Sequence, residues 1–288
     1  MKQKVILITG ASSGIGFEAA RLLSEKGHRV YGAARRVDLM EPLSFLGIVP
    51  LKMDVTDDRS MKEGIEQILQ KEGRIDVLVN NAGYGYFGAV ETVAMEEARR
   101  QVEVNLFGLA QLCQLVIPSM RKQHSGRIVN ISSVAGRMAV GFGGWYNVTK
   151  YSVEAISDAM RMELKSFGID VVLIEPGPIK TDWGLIAARN LRESTQGTAY
   201  MDEAGKLADF MQWSYTSNYL SKPDVVAKAI CRAALSRCPK VRYVVGFGAR
   251  SMVFFHSLLP PRCWDWMMRK SSWMKPSQNA WSYNSAHP

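Results

Sequence analysis

The stretch Val5–Lys26, VILITGASSGIGFEAARLLSEK, decides the fold. Val5 to Thr9 is a short apolar and β-branched run, the composition of a strand buried on both faces. Gly10, Gly14 and Gly16 follow at once, and Phe17 to Lys26 carries helical periodicity. Strand, glycine turn, helix is the context in which such glycines bind a dinucleotide. Glycine permits the tight turn and lets the backbone approach a pyrophosphate. The helix N-terminus adds free N–H groups and positive potential. The candidate contacts are Gly10, Ser12, Ser13, Gly14, Ile15 and Gly16. A plain turn without a ligand is the weaker reading, because the flanks match.

Arg29 to Ala34 is a second strand, and a ribose selector belongs at its end. A carboxylate there would accept from a 2′-hydroxyl. This strand runs instead into Arg35 and Arg36, with no carboxylate before Asp38. Arginine grips phosphate through a planar fork of donors, so Arg35 argues for NADP(H), with the Ser12 hydroxyl beside it. Ile48 to Met53 is a third strand ending at Asp54-Val55. Asp54 either accepts from an adenine amino group or caps the helix that begins near Asp57. Ile75 to Val79 is the fourth strand and leads into Asn80-Asn81-Ala82-Gly83 at the same sheet edge.

Ser133 to Lys150 supplies the chemistry. It ends in Tyr146-x-x-x-Lys150, and residues four apart on a helix share one face. A free tyrosine titrates near pH 10, and each unit of depression corresponds to roughly 1.4 kcal/mol. A fixed ammonium favours phenolate, so Lys150 is expected to draw the Tyr146 pKa down towards neutrality. Ser133 precedes a Gly-rich connection that brings its hydroxyl near the phenol. Alone, the Tyr-x-x-x-Lys spacing is more often a solvated helix face.

From Glu91 to Lys122 the pattern is helical. Asn105 sits among apolar neighbours there, either as a satisfied buried amide or holding a water beside Lys150. Gly126 to Ser132 and Ile169 to Glu175 are further strands, the second broken by Pro176-Gly177-Pro178. This alternation predicts βαβ units and a parallel sheet. Trp183 to Ser221 is an aromatic excursion of weak helical periodicity, read as a lid over 183–221. Pro223 to Ser236 is a helix and Arg242 to Val245 a last strand. An aromatic, basic extension over 251–275 would cover the pocket, meet a partner subunit or touch lipid. Residues 276–288 are polar and expected to be disordered.

Composition narrows the class. The charge is +9, from 36 Lys and Arg against 27 Asp and Glu. No basic run reaches five residues, which reads as a solvated surface and excludes a nucleic-acid binder. The four cysteines lack metal or disulfide spacing, so no metal is expected and a reducing cytoplasm is the simplest setting. No signal peptide and no membrane span are expected.

Thr9-Gly10-x-x-x-Gly14-x-Gly16, Asn80-Asn81-Ala82-Gly83, Asn105, Ser133, Tyr146-x-x-x-Lys150 and Pro176-Gly177 together resemble a single-domain short-chain dehydrogenase/reductase. The resemblance covers about residues 3–250. It implies an α/β, Rossmann-like doubly wound parallel sheet of about seven strands with helices on both faces. It implies Tyr146 as acid/base, Lys150 as its modifier and a ribose contact, Ser133 on the substrate oxygen and Asn105 on a relay water. Asp54, Val55, Asn81, Ala82, Gly83, Pro176, Gly177, Ile179 and Thr181 become cofactor contacts. The Ala34-Arg35 pair resembles NADP-preferring members. The overall tone is similar to hydroxysteroid and retinol dehydrogenases and acyl-dihydroxyacetone-phosphate reductases, which act on hydrophobic alcohols or ketones. Met138, Phe142, Trp145 and Trp183 are candidates for a substrate wall, or are simply core. Apolar helices around Asn105–Lys122 and Tyr146–Phe167 imply a homodimer or homotetramer. A non-catalytic NADP(H)-sensing module is the alternative, and retention of the whole Tyr/Lys/Ser set argues against it.

Overall fold

The structure is a computed structural model and describes residues 2–271. The end of the extension, 272–275, and the polar tail, 276–288, lie outside the described residues.

The central strands are buried, largely apolar runs that alternate side chains between two layers, while the two edge strands are partly exposed. The seven are β1 (Val5–Thr9), β2 (Arg29–Ala34), β3 (Val49–Lys52), β4 (Val77–Asn80), β5 (Gly126–Ile131), β6 (Ile169–Pro176) and β7 (Arg242–Val245). Every pairing is parallel, and the order is β3-β2-β1-β4-β5-β6-β7. Ile6, Ile8, Val77 and Val79 pack on one face, against helices α1 (Gly14–Glu25) and α9 (Pro223–Leu235). Leu7, Leu78 and Ile128 pack on the other. That face is covered by α3 (Asp58–Glu72), α5 (Gly108–Lys122) and α6 (Gly144–Glu163). The doubly wound expectation therefore holds, with β1 and β4 adjacent where the winding reverses. Clefts form at such switch points, outside the carboxyl ends of the strands.

Between β2 and β3 lies one short helix, α2 (Glu41–Ser44). The continuous helix expected over Glu91–Lys122 is interrupted. It consists of α4 (Met95–Val102), a π turn over Glu103–Phe107, and α5. A π turn inserts one residue and shifts the face that follows, which turns Asn105 into the interior. Taken as one helix, Met95–Lys122 is long and apolar enough to cross a membrane, which the sequence reading did not anticipate. Its apolar face is spent elsewhere, since Leu109, Leu112, Val116 and Met120 pack on the sheet.

The excursion after β6 is more regular than its periodicity suggested. It folds as α7 (Asp182–Thr195) and α8 (Met201–Thr216), which share a satellite core of Ala187, Ala188, Leu191, Ala204 and Ala208. Small residues let the two helices approach closely, and they also weaken the hydrophobic signal. The extension forms α10 (Ala249–Leu258) and α11 (Pro261–Ser271), separated at Pro260-Pro261. Ala249 and Trp264 join Met138 in a small buried cluster, so the extension packs back on the domain.

Asp57, and not Asp54, caps α3: its carboxylate accepts from the Arg59 and Ser60 amides at 3.0 and 3.3 Å. Losing such a cap costs about 1 kcal/mol. Asp57→Ala should lower unfolding free energy by about that amount. Urea titration checks this, and the denaturant midpoint should fall without a change in slope.

Candidate active site

The site begins with two strand ends tied together. The Thr9 hydroxyl accepts from the Asn81 and Ala82 amides, each at 3.0 Å. The Asn81 side chain donates back to the Thr9 carbonyl at 2.9 Å and the Gly10 carbonyl at 3.3 Å. Gly10 and Gly14 have φ of 66° and 57°, the left-handed region that glycine adopts without strain. A Cβ on Gly16 would collide with the Gly10 carbonyl and the Asn81 amide. Gly16 is thus needed for close packing behind the turn, and it does not line the cleft.

A cleft of about 830 Å³ opens above these ends. Gly10, Ser12, Ser13, Gly14, Ile15, Arg35, Asp54, Val55, Asn81, Ala82 and Gly83 line one half. The Ser13 side chain caps nothing, and its hydroxyl and the first amides of α1 are left for a ligand. Arg35 is exposed at the end of β2, and no ion pair engages it among the described residues. Asp54 accepts from the Thr56 amide and hydroxyl through one oxygen, at 3.0 and 2.9 Å. Its other oxygen is open to an amino group. A bare glycine cradle, a helix N-terminus and an unpaired guanidinium suit a phosphorylated dinucleotide.

Ser133, Tyr146, Lys150, Pro176, Gly177, Ile179 and Thr181 line the other half. The two halves meet where Thr181 faces the bare Cα of Gly14. Ser133 caps a single 3₁₀ turn, and its hydroxyl donates to the Pro176 carbonyl at 3.3 Å. The same hydroxyl is close enough to the Tyr146 phenol to favour its ionised form. Lys150 is 6% exposed, donates to the Ile131 carbonyl at 2.9 Å, and lies 5.8 Å from the Tyr146 ring centre.

The electrostatics correct one expectation. Burial pushes the Tyr146 phenol well above the ordinary tyrosine value, with only the Ser133 hydroxyl opposing. Burial likewise pulls the Lys150 ammonium down to about 8, partly offset by Glu154. Lys150 does not bring the phenol towards neutrality here, because desolvation penalises both charged forms more than their attraction repays. The neutral phenol is the stable form, and it is a proton donor.

Asn105 clamps rather than relays through its side chain. Its oxygen accepts from the Tyr84 amide at 2.7 Å, and its nitrogen donates to the Tyr84 carbonyl at 2.7 Å and the Thr149 hydroxyl at 3.0 Å. Two positions went unread in the sequence. Asn147 donates to the Ala135 and Met138 carbonyls at 2.8 and 2.9 Å and accepts from the Val140 amide at 3.1 Å. It thereby fixes the connection between Ser133 and Tyr146; only its place beside Tyr146 could have flagged it. Phe87, from the loop after β4, lies 5.8 Å from the Tyr146 ring.

Of the four substrate-wall candidates, Met138 and Trp183 line the cleft, Trp183 at 5.0 Å from the Tyr146 ring. Phe142 and Trp145 are outside that lining. Phe142 has a φ of 59° and packs edge-on against Tyr200. Trp145 is one residue from Tyr146 and so projects about 100° around α6 from it.

A glycine turn at the switch point of a doubly wound sheet, facing a Tyr-Lys-Ser set across one cleft, is the layout of a dinucleotide-binding α/β oxidoreductase. The chain belongs to the short-chain dehydrogenase family, whose model matches residues 4–189. It is 39% identical over 248 residues to a 3-ketodihydrosphingosine reductase of Bacteroides thetaiotaomicron, covering 85% of this chain and 89% of that one. It is 35% identical over 257 residues to an NADPH-dependent 3-dehydrocapnine reductase of Ornithobacterium rhinotracheale, covering 83% and 87%. The crystal structure of a short-chain dehydrogenase from Streptomyces avermitilis superposes with a TM-score of 0.78 at 30% identity, covering 94% of this chain and 98% of that one.

The depressed Lys150 pKa sets a stability window. The native state releases this proton near pH 8, whereas the unfolded chain keeps it to about 10.5. Between those values the unfolded state binds more protons, so stability rises with pH. Relative to Lys150→Met, the wild type should gain unfolding free energy from pH 8 to about pH 10. Urea titrations at the two pH values measure the difference; parallel pH dependences would contradict it.

Proposed function

We propose that this protein is an NADP(H)-dependent oxidoreductase that interconverts an alcohol and its ketone or aldehyde on a hydrophobic substrate. The observation that carries the reading is the Ser133–Tyr146 hydroxyl pair, one helical turn from Lys150, in one cleft with the glycine turn and Arg35. Bound nicotinamide supplies or takes up the hydride at this edge. Arg35 and Ser12 hold the 2′-phosphate. Ser13, Gly14 and Ile15 present amides to the pyrophosphate, while Asp54 and Val55 meet the adenine.

In the reductive direction Ser133 orients the carbonyl oxygen and Tyr146 gives it a proton. A phenol kept neutral by burial carries the proton that this donor role requires. Lys150 steadies the phenolate left behind and takes a ribose hydroxyl. Asn105 holds the Tyr84 loop and α6 in register, and the water assigned to it by family resemblance would reach its backbone rather than its engaged amide. Phe87, Met138 and Trp183 form an apolar wall, which suits a lipid, steroid or retinoid ketone. The two relatives above are named as reductases, one of them NADPH-dependent, and lend support to the cofactor and direction.

Further readings follow from the surface. Phe107, Val148, Tyr151 and Met162 stand exposed on the π turn and α6, and support pairing of two copies there. Phe254, Phe255 and Leu258 stand exposed on α10 among Arg250 and Arg262, and support peripheral contact with anionic lipid. Cys113 and Cys231 are buried free thiols, in keeping with a reducing cytoplasm.

Tyr146→Phe should abolish turnover of ketones with NADPH while NADPH affinity is retained; undiminished turnover would remove Tyr146 from the reaction. Arg35→Ala should weaken NADPH at least tenfold more than NADH, about 1.4 kcal/mol of discrimination. Fluorescence titration with both nucleotides checks this. For the lipid contact, flotation with phosphatidylglycerol vesicles should recover the wild type and lose Phe254→Ser/Phe255→Ser; equal recovery would count against it.

A further inference from the structure

Tyr215 is a half-buried phenol that the reaction above does not use. It lies in the last turn of α8 and lines the cleft together with Tyr146, Ser133 and Trp183. Its seat is built by a glycine. A Cβ on Gly184 would overlap the Tyr215 ring at Cδ1, Cε1 and Cζ, so the ring lies directly on the bare first turn of α7. A second glycine performs the same service for its neighbour, since a Cβ on Gly85 would overlap the Trp183 indole. Two ring-on-glycine contacts thus lock the α7–α8 unit over the cleft and hold Tyr215 in one place.

Two other tyrosines spend their hydroxyls on a carboxylate. Tyr31 donates to Glu72 at 2.6 Å, and Tyr84 donates to Glu97 at 2.5 Å. For the Tyr215 hydroxyl no hydrogen bond is present among the described residues. Burial pushes its pKa up to about 12, so it is a neutral hydroxyl at any physiological pH. It is also near enough to Tyr146 to bear on that phenol's ionisation. The hydroxyl belongs to a cleft-lining residue and has no protein partner among the described residues, so a substrate group in the cleft can bond it.

We infer that the Tyr215 hydroxyl is a second polar contact for the substrate, which is therefore an apolar-chain ketone or alcohol carrying a further hydrogen-bonding group, such as a hydroxyl, close to the reacting carbon. This rests on the oxidoreductase reading for the placement of the reacting carbonyl at Ser133 and Tyr146. The wall of Phe87, Met138 and Trp183 takes the chain, and Tyr215 selects among chains. Sites built to bond a hydroxyl reject analogues that lack it far more strongly than apolar walls reject a missing methylene.

The test is binding to the NADP⁺-loaded protein, in which a ketone cannot be reduced and the absence of NADPH absorbance confirms that no ligand hydroxyl is oxidised. The ligands are 2-decanone, 1-hydroxy-2-decanone and 4-hydroxy-2-decanone, followed by tryptophan fluorescence and calorimetry. The wild type should bind one hydroxyketone about tenfold or more tighter than 2-decanone. Tyr215→Phe should erase that gap and leave the 2-decanone affinity unchanged. Gly184→Ala, which fills the seat without touching the hydroxyl, should erase it too. No gap in the wild type, a gap that survives Tyr215→Phe, or an equal loss for all three ligands would overturn the assignment. Turnover with NADPH is followed in parallel. An intact binding gap with no turnover would sink the oxidoreductase reading and spare the role of Tyr215.

Discussion

The cleft depends on one tie, the reciprocal bonding between Thr9 at the end of β1 and Asn81 at the end of β4. These strands are neighbours in the sheet, but the chains leaving them turn to opposite faces. Without the tie, the glycine turn and the Asn81–Gly83 loop would be two independent loops. With it, the Gly10 carbonyl sits so close to Gly16 that no side chain fits between them. The floor of the site is therefore backbone, and every cleft-lining group is measured from it.

Desolvation is the second governing effect. The groups that would carry the chemistry, Tyr146 and Lys150, are both driven towards their neutral forms by desolvation. Coulombic help from a partner is smaller than the solvation each group loses. Desolvation of this kind keeps the phenol protonated, which is the form that can act as a donor. It also makes the surrounding hydrogen bonds, from Ser133, Asn147 and Thr149, responsible for placement rather than for charge.

Much of this was legible in the residues. Runs such as VILIT and IDVVLIE mark buried parallel strands, and the glycines after β1 and the Arg35 after β2 sit where a doubly wound sheet puts its ligand edge. Other features left little trace. The α7–α8 pair packs through alanines, so its helical stripe is faint. The π turn that buries Asn105 is one residue of excess in a helix whose pattern looks continuous. Phe142 and Trp145 stand beside Tyr146 in sequence and miss the cleft, because a positive φ and a helical step of about 100° carry them past it.

The sequence by itself determined the class of fold, the parallel sheet implied by alternating βαβ units, and the identity of the groups at the sheet edge. These follow from local periodicity, glycine freedom and side-chain chemistry, all of which are written in short windows. Only the tertiary structure decided the direction of the Tyr146 and Lys150 shifts, the clamp role of Asn105 and the seating of Tyr215 on Gly184. Each of those depends on how much water is removed, and on which atoms from distant segments meet, and neither quantity exists until the chain has folded.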